Sequence, residues 1–139
     1  MGTNRNSRLF IIMVMGLFVI SACQSLPFEM TEGSLNERIA GMMTARQDQN
    51  WAKVYEYLDP EYRSKVSKSS FVNMSRNIQY NNFTIESVEY TPSGKKATAT
   101  VKYDFVVQAL DVQDHRETQD WIKSSGQWYF KTTADTVMD

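Results

Sequence analysis

The sequence predicts an α+β fold in which amino-terminal helices pack on a curved antiparallel sheet. Three observations carry this. Apolar residues recur at helical spacing through the first half of the chain. From Tyr80 onward the spacing changes to two, the period of a half-buried strand. Composition is 42% hydrophobic and 22% charged, too apolar for a disordered chain. At 139 residues there is room for one domain.

The helices come first. Ser34-Leu35-Asn36-Glu37 matches the Ser-x-x-Glu capping box, in which each end of the motif satisfies a backbone amide of the other. Leu35, Ile39, Met42 and Met43 then share one face of a helix that ends near Gln47. A second helix starts after Asp48 or Asn50, with Trp51, Val54, Tyr55 and Leu58 on its apolar face. Asp59-Pro60 closes it, because the residue before a proline leaves helical space. The same pair opens a further turn, with Asp59 as cap and Pro60 at the first position. A third helix is expected from Ser69 to about Ile78, with Phe71, Met74 and Ile78 on one side.

The strands follow. Phe83, Ile85, Val88 and Tyr90 alternate with one slip near Glu86-Ser87, which reads as a bulge. Thr91-Pro92-Ser93-Gly94 is a turn. Residues 96–108 alternate without interruption, with Ala97, Ala99, Val101, Tyr103, Phe105 and Val107 on one face. Residues 111–115 are polar and read as a connection, and residues 116–123 as a third strand. Ser124-Ser125-Gly126-Gln127 makes a hairpin turn into the aromatic strand 128–131.

Ahead of this domain lies an export signal. Arg5 and Arg8 precede the apolar run 9–20, which is followed by Ser21, Ala22 and Cys23. Ile20-Ser21-Ala22-Cys23 resembles the lipobox of bacterial lipoproteins. The resemblance implies cleavage after Ala22 and acylation of Cys23, whose thiolate is the nucleophile such a transfer needs. Simple secretion, or a signal anchor, with a chance cysteine at the cleavage point is the bland reading. Cys23 is the only cysteine, so an intramolecular disulfide is excluded. Several acyl chains, each contributing about 0.8 kcal/mol per buried methylene, anchor a protein stably. Gln24, where aspartate favours inner-membrane retention in such proteins, implies the outer membrane facing the periplasm if the organism has two membranes. The expected layout is a signal peptide at 1–22, the lipidated cysteine and tether at 23–33, one α+β domain at 34–133, and a tail at 134–139.

The domain resembles the nuclear-transport-factor-2-like superfamily, a SnoaL-like, cystatin-like cone. The residues that carry this are the Asn50–Pro60 segment, with Trp51, Tyr55 and Leu58 spaced as in the family's second helix, and the closing Gly126-Gln127-Trp128 strand. The resemblance implies a cone-shaped fold whose members include isomerases, cyclases, dehydratases and non-catalytic binding modules, so fold alone does not choose the function.

Composition narrows the chemistry. A formal charge of −1 and a pI near 5.8 argue against nucleic acid, which needs a cationic surface. One histidine and one cysteine leave no metal-ligand spacing, and no cofactor motif is present. His115, in a polar stretch with Asp111, Asp114 and Glu117, reads as solvated. An isomerase-like site would need a carboxylate in an apolar cone beside a phenol donor. Tyr55, Tyr57 or Tyr103 can offer the phenol, and either Glu117 or Asp120, which lie on opposite faces of the third strand, can offer the acid. Trp121, Trp128 and Tyr129 are candidates for ligand or partner contact, with core packing as the alternative. The leading expectation is a non-enzymatic, lipid-anchored envelope protein whose domain binds a protein partner or a small apolar ligand. A small isomerase-like enzyme and a structural accessory lipoprotein are the alternatives.

Metabolic labelling with a fatty acid should mark the wild-type chain and leave Cys23→Ser unlabelled. Equal label in both would exclude acylation at this residue.

Overall fold

The computed structural model describes residues 34–132; the expected signal peptide, lipobox, tether and tail lie outside these residues. The order is α1 (Leu35–Gln47), α2 (Trp51–Tyr57), α3 (Pro60–Lys65), α4 (Lys68–Ser75), β1 (Ile78–Tyr90), β2 (Lys96–Val107), β3 (Leu110–Ser124) and β4 (Gln127–Lys131). The strands form one antiparallel sheet in the order β1-β2-β3-β4. This is the expected α+β architecture, with helices on the inner face of a curved sheet.

Each helix starts where side chains can satisfy its first amides. Ser34 Oγ accepts from Glu37 N at 3.3 Å, and Glu37 Oε2 accepts from Ser34 N at 2.8 Å. Asn50, Asp59 and Ser67 cap α2, α3 and α4 in the same way. Pro60 occupies the first turn of α3. Helix α4 stops at Ser75, so Ile78 does not close a helix as expected; it opens β1 opposite Val107. An isolated apolar residue fits either period, and here sheet pairing prevails.

The sheet is bent by irregularities. Pairing slips between Ile85 and Ser87, where the sequence shows its break, and again between Asn81 and Phe83. A third slip lies between Tyr103 and Phe105 on β2, opposite Asp114, whose φ is 55°. Asp104 Oδ1 accepts the Asp114 amide at 2.8 Å, which satisfies the bulged backbone.

Residues 111–115 are not a connection. They belong to β3, and the β2–β3 turn is the pair Gln108-Ala109, with φ of 49° and 66°. Two left-handed residues make the turn type that suits strand twist, usually written with Asn or Gly. Neither residue stands here, so the turn has no local signature. The side chains of residues 111–115 are exposed apart from Val112, which is half-buried, so most of these positions tolerate polar residues.

The core lies between α1, α2 and the inner sheet face. Ile39, Met42, Met43, Ala99, Val101 and Trp121 are fully buried. Gly41 allows the close approach of α2: a Cβ there would stand 2.5 Å from the Tyr57 hydroxyl. A parallel bridge joins Leu58 to Phe130, and the Asp59 amide donates to the Phe130 carbonyl at 3.0 Å. The segment between α2 and α3 is thereby tied to the free edge of β4.

Trp121→Ala should lower unfolding free energy by about 3–5 kcal/mol, the range for emptying a large buried aromatic site. Urea denaturation would measure this; a loss under about 1 kcal/mol would contradict the packing described.

Candidate functional site

The helices do not fill the space above the curved sheet. They leave a cavity of about 380 Å³, within the range of about 300–1,000 Å³ usual for small-ligand pockets. Its walls are mostly apolar and aromatic. Trp51 and Val54 come from α2; Phe71, Met74 and Ser75 from α4; Ile78 and Tyr80 from β1; Tyr103 and Phe105 from β2; and Phe130 from β4. Arg46, His115 and Glu117 supply the charge-bearing groups.

Strand alternation places the β3 groups. His115, Glu117, Gln119 and Trp121 are separated by two residues each, so they face the same side. Tyr103 lies opposite His115 and Val101 opposite Glu117 in the β2–β3 register. The Tyr103 ring stands 5.2 Å from His115 and 5.0 Å from Tyr80, and Phe105 stands 5.4 Å from His115. Helix α1 delivers Arg46. The stripe Leu35, Ile39, Met42 continues by one more turn to Arg46, which is 7% exposed.

These groups form a connected polar chain. Glu117 Oε2 accepts from Arg46 Nη1 at 2.8 Å and from Gln119 Nε2 at 2.7 Å. Gln119 Oε1 accepts from Trp121 Nε1 at 3.2 Å. Met43 Sδ is a weak acceptor at 3.6 Å from Arg46 Nη1 and 3.7 Å from Gln119 Nε2. The Arg46 guanidinium also stands over the Tyr80 and Phe130 rings, at 5.1 and 5.5 Å.

Burial opposes the charge on Arg46, but Glu117 and the neighbouring phenols outweigh it and hold the guanidinium firmly protonated. Burial likewise works against the Glu117 carboxylate. Arg46, the Gln119 hydrogen bond and His115 overcome that and bring it below the ordinary glutamate value. Burial pushes the Tyr103 phenol far upward, and the Glu117 charge pushes it further. Tyr80 is raised for the same first reason, partly offset by Arg46. At neutral pH the ion pair is therefore internally neutralised and both phenols are protonated.

Of the residues singled out by sequence, Tyr103 and Glu117 meet in the cavity. Asp120 does not: it is exposed on the outer face and accepts from Thr98 Oγ1 at 3.2 Å. Trp121 and Trp128 are core residues, 0% and 6% exposed, and so are not surfaces for a partner. Trp121 packs on Phe130, and Trp128 on Tyr90. Tyr129 is half-buried outside the cavity, between arginines. Tyr55 serves structure, its hydroxyl donating to the Arg63 and Val66 carbonyls. Among the described residues no group of His, Cys, Asp or Glu is arranged to hold a metal ion. Sequence reading missed Arg46, Gln119 and Tyr80. The available signal for Arg46 was its place on the α1 stripe, where a charge must find a buried partner.

No protein-family model matches the chain, and no curated protein matches it. Among solved structures it is similar to a SEC-C motif containing protein from Psychrobacter arcticus, with a TM-score of 0.60 and 13% identity over 74% of this chain and 61% of that one. The chain thus spans less than two thirds of that protein's length. It is also similar to RPA3114, a SEC-C motif containing protein from Rhodopseudomonas palustris, with a TM-score of 0.53 and 18% identity over 73% of this chain and 86% of that one. At these identities the likeness shows a shared fold. An LEH-like epoxide hydrolase from M. tuberculosis aligns with a TM-score of 0.48 at 11% identity, too low to bear on the site.

Glu117→Ala should destabilise the fold by about 3 kcal/mol, the low end for leaving a buried partner charge unpaired, because Glu117 keeps some solvent contact. Since the folded carboxyl is held below its unfolded value, its contribution is complete above the unfolded value of about 4.3. It is lost as pH falls through the folded value. Thermal unfolding from neutral pH to pH 3 should show a steeper acid loss in wild type than in Glu117→Gln. Parallel curves would contradict the assignment.

Proposed function

We propose that this is a lipid-anchored bacterial envelope protein whose domain binds a small, uncharged, largely apolar ligand in the cone. The anchoring rests on the Cys23 signal. The binding rests on one observation: a cavity of about 380 Å³ with aromatic walls and a self-neutralised ion pair at its polar end. Such a lining favours a flat or alicyclic molecule carrying one hydrogen-bond acceptor. A charged ligand would need a counter-charge, and the cavity's guanidinium is already committed to Glu117. A protein partner finds less support, since Trp121 and Trp128 are interior.

A second reading, a small isomerase-like enzyme, is favoured by the proximity of Glu117 to the Tyr103 phenol inside an apolar cavity. Against it stands the Arg46 pairing. A general base works best with a pKa near the operating pH, and Arg46 moves Glu117 the other way.

Neutral aromatic and alicyclic alcohols and ketones should raise the unfolding midpoint of the purified chain by mass action. Ser75→Phe, which adds a ring to the cavity wall, should weaken this at least tenfold. No stabilisation by any such compound would overturn the binding reading. Conversion of a bound ketone by wild type but not by Glu117→Gln would establish the enzyme instead.

A further inference from the structure

About two turns before Arg46 on α1 lies a second cluster with unmet bonding capacity. Arg38 of α1 and Arg63 of α3 converge on the Tyr129 ring of β4, their guanidinium carbons 5.9 and 5.6 Å from its centroid. Arg38 also stacks on Tyr57, at 4.3 Å. Both arginines are half-buried. Arg38 Nε donates to the Trp128 carbonyl at 3.0 Å, which fixes that guanidinium in place.

What the cluster lacks is an acceptor. Arg38 Nη2 and Arg63 Nε are buried N–H groups with no hydrogen-bond partner. Among the described residues the ion pairs engage Arg46, Arg116 and four lysines, and neither Arg38 nor Arg63. Of the acids near them in sequence, Glu37 caps α1 and Glu61 pairs with Lys65, while Asp59, buried at the start of α3, accepts the Tyr62 amide with one oxygen and has no hydrogen-bond partner for the other. Burial holds the Arg38 guanidinium below its usual value; Tyr57 and Tyr129 work against this, and the nearby Arg63 charge adds a smaller push in the same direction as burial. Two like charges, positioned by aromatic faces and paired with no acid, are an unfinished arrangement.

We propose that Arg38 and Arg63, with Tyr57 and Tyr129, form a binding site for a phosphate group, separate from the cone. Guanidinium forks match oxyanions in geometry and charge. A carboxylate is satisfied by a single fork; two forks meeting at one ring suit the several oxygens of a tetrahedral phosphate. The tyrosine rings hold the forks apart from solvent and suit the carbon portion of a phosphoester. A phospholipid headgroup and a soluble phosphoester share this chemistry.

Calorimetric titration of the full chain in non-ionic detergent, with glycerol phosphate and with soluble dihexanoyl phosphatidylglycerol, tests it. Saturable binding of at least one is expected, weakened at least tenfold by Arg38→Gln and by Arg63→Gln. Arg38→Lys and Arg63→Lys keep the charge and should lose part of the affinity, which provides a second reading if a glutamine variant does not fold. Tighter binding of the lipid would identify the headgroup as the source, and equal or tighter binding of glycerol phosphate the soluble ester. Ser75→Phe should leave phosphate binding unchanged, so failure of the cone reading and failure of this one are distinguishable. Absence of saturable binding to both ligands, or binding indifferent to all four arginine variants, would overturn the site.

Discussion

A single buried ion pair organises the interior. Arg46 sits where the apolar stripe of α1 would place another hydrophobic side chain, and a guanidinium there must be answered or the helix cannot lie on the sheet. Glu117 answers it from β3, Gln119 braces Glu117, and Trp121 braces Gln119. This chain runs from the rim of the cavity into the fully buried core. Helix and sheet are thereby locked at one relative position by directional bonds, where apolar packing alone would tolerate small shifts.

The same pair sets the chemistry of the cavity. By pairing Glu117 it leaves the cavity's one carboxylate a weak base, while burial of the phenols themselves, aided by the Glu117 charge, keeps them protonated. Binding is thus easier to build here than proton abstraction. Arg38 of α1 and Arg63 of α3 behave differently. Arg46 has its carboxylate; Arg38 and Arg63 have rings and a carbonyl but no acid. One helix therefore presents a paired guanidinium to the cavity and, at the cluster by β4, one with an unmet N–H.

Much of this was legible locally. The Ser34 capping box, the Asp59-Pro60 junction and the β2 alternation each depend on neighbours within a few residues, and each stands where its pattern placed it. The local reading lost Ile78, which fits two periods, and the Gln108-Ala109 turn, which adopts a left-handed conformation without the residues that usually mark it. Trp121 and Trp128 carried composition typical of an interface, yet their alternation along β3 and β4 turns them into the core.

By itself the sequence determined the order of the elements, their caps, and which side of each strand is apolar, because backbone propensity and side-chain period act over short range. It also narrowed the cavity acid to Glu117 or Asp120. Only the tertiary structure chose Glu117 and joined it to Arg46, 71 residues away. That choice depends on the β-bulges and the register they impose, and on the seat of α1 over the sheet. These are properties of the packed whole, since shifting a strand by one residue exchanges its two faces.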